Sequence, residues 1–407
     1  MKWHSYFSSR MRQVATCGVL VLPLGLIAPV WAAPTLKQAV EAAWQRQPEL
    51  RSFDQRRAEA DAKRDAASSW LADSPSLSIG HRTDRMNRNS GAREWEADLG
   101  LPLKTPGIRA ALTATAESEG ALNLARVEAA RLRVAGEVRD LWWDVRLATN
   151  ERDLAVRKAE DAKQLAMEVD RRVKAGDLAL VDLNQARATA HQADATRLEQ
   201  EAKLRRALRL FQAMTGLTDP GADVEVASPS GPSHAEITLA ELTVNAQRAR
   251  YSEATRVTAD APELTVGSRR ERGLFGEAFE SSLFVGVRIP FPTKSRNAPR
   301  IAAAGAELAE AEAQAALLKD RVQATTDSAE GDLKQASEIV RLADQRAVLA
   351  RDTHTRLAKA FQLGEIDLVT RLRAEAERFD AELSLSRARL EEGRAVSRLN
   401  QAKGLLP

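Results

Sequence analysis

The stretch "KAGDLALVDLNQARA", Lys174 to Ala188, returns later in the chain as "QLGEIDLVTRLRAEA", Gln362 to Ala376. The glycine, the Leu-Val pair and two alanines keep their places at an offset of 188 residues. Three further segments recur in the same order at nearly the same spacing: "PSLSIG" (75–80) as "PELTVG" (262–267), "LPL" (101–103) as "IPF" (289–291), and "FQAMTGL" (211–217) as "LNQAKGL" (399–405). The chain is therefore a tandem duplication of one long unit.

The repeats set the predicted domain organisation. The first repeat is predicted over residues 33–217 and the second over 238–407, joined by a linker at 218–237 that is rich in Pro, Gly and Ser. Capping-box patterns at Thr35…Gln38 and Thr238…Glu241 predict that each repeat opens with a helix. The second repeat is shorter at its start, so we expect less opening helix there.

Residues 1–32 read as a secretory signal peptide. Basic residues precede an uncharged apolar run that ends in the small-residue pattern Val30-Trp31-Ala32. A membrane anchor is the alternative, and Pro23 and Pro29 argue against a spanning helix. Without this segment the chain is neutral and has no cysteine, because Cys17 lies within it. The composition therefore gives no indication of nucleic-acid binding, and it excludes disulfides and thiolate metal sites.

Each repeat contains two long helical stretches. Residues 108–175 have no proline, and apolar residues recur there every 3.5 positions from Leu124 to Val173, which is typical of a coiled coil. The second repeat shows the same spacing from Val322 to Phe361. Shorter helices are predicted over 178–214 and 366–403. The repeated motif is therefore the tip of a helical hairpin, with glycine at the reversal.

Each repeat also carries a predicted β-hairpin. The segments "REWEADLGLPL" (93–103) and "SSLFVGVRIPF" (281–291) alternate apolar and polar residues, with Phe284 interrupting the polar side, and 75–82 and 262–270 are weaker partners. Trp95, Phe279 and Phe291 near the strand ends suit either an aromatic belt at a membrane interface or simple burial.

Four such strands raise a question of closure. Their length approaches the roughly 9–11 residues that cross a bilayer. A membrane sheet cannot keep open edges, and bacterial barrels have eight or more strands, so several chains would have to share one barrel. A soluble four-stranded sheet on a helical base is the alternative.

The chain resembles the TolC-type outer-membrane factor family over essentially all residues after 32. The resemblance rests on the opening helix with its Gln47-Pro48-Glu49-Leu50 kink, the two-copy strand–helix plan and the glycine-containing tips. In addition, "IPFPTKSRNAPRIAAA" (289–304), with Pro290, Pro292, Arg296 and Asn297, is similar to a segment of the heavy-metal branch, the cobalt-zinc-cadmium or CzcC-like type.

The resemblance implies a mostly α protein with a small membrane β part. It implies a homotrimer whose protomers each give four strands to a twelve-stranded outer-membrane barrel and their helices to a periplasmic tunnel. The partners implied are a periplasmic adaptor and an inner-membrane pump of the resistance-nodulation-division type, with no cofactor and no catalytic or resident metal site. The adaptor would contact the two tips, at Ala175, Gly176, Asp177, Leu178, Leu363, Gly364, Glu365 and Ile366.

The sequence departs from the family in two places. Many relatives carry acidic residues one to two turns after the second glycine, around a closed tunnel mouth, whereas this chain has Thr370 and Arg373 there. The candidate gate therefore also includes Asp182 and Asp367. Relatives often carry an acylated cysteine at the mature N-terminus, and none is expected here.

Other classes of protein fit less well. The sequence has no phosphate-binding loop or nucleophile motif, and His81, His191, His234 and His354 are too dispersed for a ligand set, so we do not expect an enzyme. A periplasmic adaptor or a secreted coiled-coil protein remains an alternative to the channel. Divalent heavy-metal ions are the expected cargo on the Arg-Asn segment alone, with drugs or secreted polypeptides as alternatives.

Overall fold

The computed structural model describes residues 34–229 and 233–407, so the predicted signal peptide lies outside the described residues. Each repeat runs from helix through a β-hairpin to a long helical hairpin. The elements are α1 (Leu36–Trp44), α2 (Pro48–Ser68), β1 (Ser76–Thr83), β2 (Arg93–Pro102), α3 (Pro106–Ala175), α4 (Leu180–Thr215), α5 (Ala235–Arg256), β3 (Glu263–Arg272), β4 (Glu280–Arg288), α6 (Lys294–Gln362) and α7 (Leu368–Ala402).

The start of the first repeat is as predicted. The Thr35 hydroxyl accepts from the Gln38 amide at 3.2 Å, and the Gln38 side chain accepts from the Thr35 amide at 2.9 Å. Helix α1 ends before Gln47, and Pro48 opens α2, where its missing N–H costs no helical bond. The kink therefore lies where the sequence predicted it.

The second capping box is a wrong prediction. Helix α5 already begins at Ala235, inside the predicted linker, and Thr238 lies within it. The reason is an earlier cap, because the His234 ring nitrogen Nδ1 accepts from the Glu236 amide at 3.2 Å. The Thr238 hydroxyl donates a hydrogen bond to the Ser233 hydroxyl at 3.2 Å and does not cap the helix.

The two long helices are single elements of 70 and 69 residues. At 1.5 Å per residue each spans about 100 Å. The predicted seam positions are buried or half-buried except Leu124, which is 55% exposed. In this part of α3 the neighbouring helices are α2 and α5 and not α4. The residues buried there are Leu122 and Ala125, and Leu124 faces outward. Within residues 34–229 and 233–407, no helix has the length and apolar character to cross a membrane.

The four strands form one antiparallel sheet in the order β1-β2-β3-β4. Directly opposed residues share a face, since side chains alternate along each strand. One face is apolar and exposed, with the row Leu77, Leu99, Val266, Val285 as its middle. The other face is polar, and Glu94 there pairs with Arg82 at 3.1 Å and Arg269 at 2.9 Å. The predicted amphipathic strands are therefore confirmed.

The main core lies midway along the helices, around Trp142, Trp143 and Phe211. Trp143 donates its indole N–H to the Ser397 hydroxyl of α7 at 2.9 Å. This contact joins the first repeat to the second. Both tryptophans therefore serve the packing of the core.

The linker is held against this core. Arg139, almost fully buried on α3, forms an ion pair of 2.6 Å with Glu225 and donates to the Leu405 carbonyl at 3.0 Å. One arginine therefore fixes the linker and the end of the second repeat to the first.

Candidate functional site at the two helical hairpin tips

The first tip is a tight glycine turn between α3 and α4. Gly176 has φ +88°, a left-handed conformation that side chains with a Cβ rarely adopt. The Asp177 amide then donates to the Arg172 carbonyl at 2.9 Å, which closes the end of α3. Glycine is therefore required here by the backbone, whatever the tip binds.

The second tip repeats this turn between α6 and α7. Gly364 has φ +77°, and the Glu365 amide donates to the Ala360 carbonyl at 2.9 Å. The similarity between the two sequence motifs is therefore a similarity of backbone conformation.

Side chains from both repeats pack the two tips together. A small apolar cluster lies behind the turns, formed by Leu165, Val169, Leu183, Ala186, Phe361 and Leu368. Arg172 of α3 crosses to the end of α6, where it donates to the Phe361 carbonyl at 3.0 Å and the Gln362 carbonyl at 3.3 Å. Its guanidinium also lies 4.8 Å from the centre of the Phe361 ring. The tips therefore form one end surface.

The eight residues predicted to contact an adaptor divide into two groups. Leu178 and Ile366 are half-buried and pack against the tip cluster. The other six are exposed at the turns: Ala175, Gly176, Asp177, Leu363, Gly364 and Glu365. Only the exposed group presents side chains or backbone freely to a partner.

The first tip has two exposed apolar residues that were not among the contact residues predicted from the sequence. Leu180 and Val181, in the first turn of α4, are 64% and 72% exposed. Their equivalents in the second repeat are Leu368, which is buried, and Val369, which is half-buried. The run "LALVDL" gave no signal for this, because Leu180 and Leu183, three positions apart, share one helix face, and only packing against other helices buries Leu183 and leaves Leu180 exposed.

Two of the candidate gate residues act as helix caps. The Asp182 carboxylate accepts from the Ala179 amide at 3.1 Å, and the Asp367 carboxylate accepts from the Thr370 amide at 2.9 Å. Hydrogen bonds from Thr370 lower the pKa of Asp367. Thr370 is half-buried and Arg373 is exposed. Within one chain these carboxylates thus have local partners.

A polar cluster that the sequence did not indicate lies above the second tip. His354 of α6 contacts Arg371 of α7, and Arg378 pairs with Asp161 of α3 at 2.7 Å. Burial, and then the nearby Arg371 and Arg378, lower the pKa of His354 to about 4. Burial also raises the pKa of Glu375. Three helices therefore meet at charged groups close to the tip.

The Arg-Asn segment has structural partners. Arg296 forms a bidentate pair with Asp260, at 2.6 and 2.9 Å. The buried Asn297 side chain donates to the Thr258 carbonyl at 2.6 Å and the Thr293 carbonyl at 3.0 Å. These contacts join the start of α6 to the connection between α5 and β3. The described residues contain no group of three His, Cys, Asp or Glu placed to bind a metal ion.

Comparison with known proteins agrees with this architecture. Residues 39–217 match the sequence model of a family described as outer membrane efflux protein. Proteins of that family are transport channels and not enzymes. A search of curated proteins gave no significant match.

Several solved structures share the fold over nearly their whole length. The CmeC outer membrane channel of Campylobacter jejuni has a TM-score of 0.73 at 16% identity, over 91% of this chain and 85% of that one. VceC of Vibrio cholerae gives 0.71 at 17%, over 91% and 96%. The MtrE channel of Neisseria gonorrhoeae gives 0.71 at 16%, over 92% and 90%. Residues 39–217 therefore match the model of the outer membrane efflux protein family, and the described chain shares the fold of these outer-membrane channels.

Proposed function

We propose that the protein is the outer-membrane channel of a tripartite efflux system, with its sheet in the outer membrane and its helices in the periplasm. The sheet carries this proposal. It exposes an apolar face and has two open edges, along β1 and β4. Unpaired backbone groups are too costly in lipid for such edges to remain open.

Closure then requires other copies of the chain. Four strands are fewer than the eight of the smallest bacterial barrels, and three copies give a barrel of twelve strands. The homotrimer is part of the proposal, since β4 of one copy would pair with β1 of the next.

The internal repeat indicates how the copies pair. Subtracting 187 from β3 numbers and 188 from β4 numbers turns the pair Glu263–Arg288 into Ser76–Gly100, which is the register of the first hairpin. The same offsets convert the β2–β3 pair Leu99–Val266 into Val287 opposite Ile79 of the next copy. These two residues are 64% and 72% exposed within the chain. Their pairing would continue the apolar face without a break.

The helices follow the same rule. Among the described residues, helix α5 packs against both α3 and α6, whereas helix α2 has α3 as its one major neighbour. In the chain, Arg250 of α5 pairs with Glu119 of α3 at 2.7 Å. The repeat offsets convert this pair into Lys63 of α2 and Glu307 of the next copy. Glu307 is exposed and has no ion pair within residues 34–229 and 233–407. Helix α6 of the next copy would therefore pack against α2, as α6 packs against α5 within one chain.

The partners follow from the far end of the molecule. The tips present exposed glycine turns and apolar residues, Leu180, Val181 and Leu363, about 100 Å of helix away from the sheet. An apolar exposed patch of this kind suits a protein partner. We assign it to a periplasmic adaptor that joins the channel to an inner-membrane pump of the resistance-nodulation-division type.

Divalent heavy-metal ions are the cargo we propose, on the resemblance of the segment at 289–304. The polar face of the sheet favours cations, because it would line the barrel. It holds six carboxylates against three arginines: Glu94, Glu96, Asp98, Glu263, Glu271 and Glu280, with Arg82, Arg269 and Arg288. Arg296 and Asn297 themselves serve the fold, so they would not contact the ion.

Cysteine cross-linking tests the assembly. A chain carrying Val287→Cys and Ile79→Cys should form a covalent trimer on mild oxidation in outer-membrane fractions. Leu99→Cys with Val266→Cys is the matched control, because the same geometry lies within one chain and should give only a monomer. Val287→Cys with Leu77→Cys is out of register and should cross-link poorly.

The outcomes separate the parts of the proposal. Equal cross-linking out of register would overturn the register but leave the trimer. A soluble monomer that needs no detergent would overturn the channel itself. To test the cargo, the gene for this protein is deleted and the strain is then complemented with the full chain. The complemented strain should regain resistance to cobalt, zinc or cadmium. Regained resistance to drugs alone, or restored polypeptide secretion, would assign the channel to the alternative cargo.

A further inference from the structure

Three arginines lie together at the hairpin end of the sheet, on its apolar face. We call Arg93, Arg270 and Arg272 the arginine patch. The strand register places Arg93 directly opposite Arg272, and Trp95 directly opposite Arg270. The sheet therefore holds three positive charges on neighbouring rows of the face that would meet lipid.

In the part of the chain that the structure describes, the patch has no carboxylate partner. Within residues 34–229 and 233–407, none of the three arginines forms an ion pair, although Arg272 donates to the Gly91 carbonyl at 3.1 Å. Glu94 and Glu271 are adjacent in sequence but lie on the opposite face, because side chains alternate along a strand. Like charges directly opposite each other destabilise a sheet unless something neutralises them. The geometry therefore leaves room for an anion.

The surroundings place the patch at a definite depth. Along the outward face, the apolar rows give way to a row that holds His81, Trp95 and Arg270, and then to the row of Arg93 and Arg272. His81 and Trp95 stack with their centroids 4.0 Å apart, and Phe279 lies 5.0 Å from both the Arg270 and the Arg272 guanidinium. Aromatic residues mark the boundary of the hydrocarbon region, so the arginines reach the lipid headgroups.

The patch is also held in place by the backbone. The Phe275 amide donates to the Ser90 carbonyl at 2.9 Å, which ties the two hairpin loops together beside it. Arg93 and Arg272 lie at the strand ends on either side of this tie. Their relative position is thus fixed before any ligand binds.

We propose that the arginine patch binds the phosphate groups of lipids in the outer leaflet of the outer membrane. A guanidinium presents two parallel N–H donors to phosphate oxygens, so adjacent arginines suit this anion. The inference rests on the proposed function, which places the hairpin end of the sheet at the outer surface. It also gives each copy in the trimer one lipid site at the same depth.

The test uses the full chain, purified as a trimer in neutral detergent. Thermal unfolding and native mass spectra are recorded with bis-phosphorylated lipid A, with the same lipid A after phosphatase treatment, and with inorganic phosphate. The variant Arg93→Gln with Arg272→Gln removes charge from the patch. Arg288→Gln is the matched control, because that arginine lies on the polar face at the other end of the sheet.

We expect phosphorylated lipid A alone to raise the unfolding temperature and to remain bound in mass spectra. The double Gln variant should lose both effects, while Arg288→Gln and the charge-preserving Arg93→Lys with Arg272→Lys keep most of them. Equal effects of dephosphorylated lipid, or of inorganic phosphate alone, would overturn the proposal. If the double variant fails to fold, the wild-type comparison of the two lipids still decides. A detergent-dependent trimer that shows no preference for phosphorylated lipid A would contradict this inference but leave the proposed channel function unaffected.

Discussion

Asp182 and Asp367 stabilise equivalent helix starts from opposite ends of the same turn. Asp367 is the N-cap of α7 and accepts from the Thr370 amide, whereas Asp182 is the third residue of α4 and accepts from the Ala179 amide at its N-cap. At the repeat offset, Ala179 aligns with Asp367 and Asp182 with Thr370. Each repeat therefore keeps a different half of one capping box.

This relationship predicts that the two carboxylates support the tips separately. Asp367→Ala should speed hydrogen exchange of the Thr370 amide and its neighbours in α7, because that amide loses its acceptor. Asp182→Ala should do the same at Ala179 in the first tip. Asp177→Ala, at an exposed residue of the first turn, is the control. Unchanged exchange at both helix starts would leave the carboxylates free for another role, such as a gate.

The Asp367 cap also sets a pH dependence. Hydrogen bonds with Thr370 lower the pKa of the Asp367 carboxyl in the folded state. The cap therefore contributes its full stability above the pKa of the unfolded chain, about 3.9. The contribution is lost as the pH falls through the lower pKa of the folded state. Exchange at α7 should therefore rise only in strong acid, and Asp367→Asn should abolish that rise.

Arg172 is predicted to hold the two tips together. Arg172→Ala removes two hydrogen bonds to the last carbonyls of α6 and the contact with the Phe361 ring. Hydrogen bonds to charged groups contribute about 1.5–3 kcal/mol, and partial exposure places this site toward the lower end. Local unfolding of residues 359–366 should become easier in hydrogen exchange. Arg171→Ala, one position away and exposed, should have no such effect.

Two glycines predict opposite effects of the same substitution. A Cβ at Gly393 would run into the Trp143 ring, so Gly393→Ala should destabilise by about 1–3 kcal/mol through overpacking. Gly331 of α6 has open space, and Gly331→Ala should stabilise by about 0.5–1 kcal/mol because alanine favours helix. Unfolding temperatures of the two variants should move apart. A shift of both in one direction would contradict the packing around Trp143.

His354 predicts a loss of stability in mild acid. Its pKa is about 4 in the fold, mainly through burial, against 6.5 for the free side chain. Between these values the unfolded state binds more protons, so stability falls as the pH is lowered from 6.5 toward 4. The cluster that joins α3, α6 and α7 should then open more readily near the tip.

His354→Gln tests this dependence, because glutamine keeps a polar side chain but does not titrate. The variant should show a smaller drop in unfolding temperature between pH 7 and pH 5 than the wild type. Glu375, whose pKa burial raises, is present in both proteins and acts with the opposite sign. His191→Gln, at an exposed position of α4, is the control. An equal drop in all three proteins would assign the pH effect elsewhere.

Local patterns predicted what depends on neighbours in sequence. The period-2 alternation in residues 93–103 fixed the face of each side chain in β2, and Gly176 and Gly364 fixed the tip turns, because only local backbone conformation was involved. The second capping box failed for the same reason: His234 is also a possible cap, and a pattern of Thr and Glu alone cannot show which cap the chain uses. The predicted burial of Leu124 was wrong because the coiled-coil pattern takes α3 to have one partner helix along its whole length.

Other features arise only from the packing of distant segments. Arg172 is one charged residue among many on α3, and only the tertiary structure brings the Phe361 carbonyl to it. The His354 cluster draws on three helices, so no spacing in the sequence could indicate it. Similarly, Arg296 and Asn297 gain their structural role from Asp260 and Thr258, more than thirty residues earlier.

The sequence by itself determined the duplication, the long helices, the amphipathic strands and the glycine tips, because periodicity and backbone preference act within a few residues. The tertiary structure decided which carboxylates are caps, which tip leaves Leu180 and Val181 exposed, and how Arg93 comes to lie opposite Arg272. These depend on strand register and helix contacts between residues far apart in the chain. Burial and charge pairing are properties of such contacts, and local sequence does not specify them.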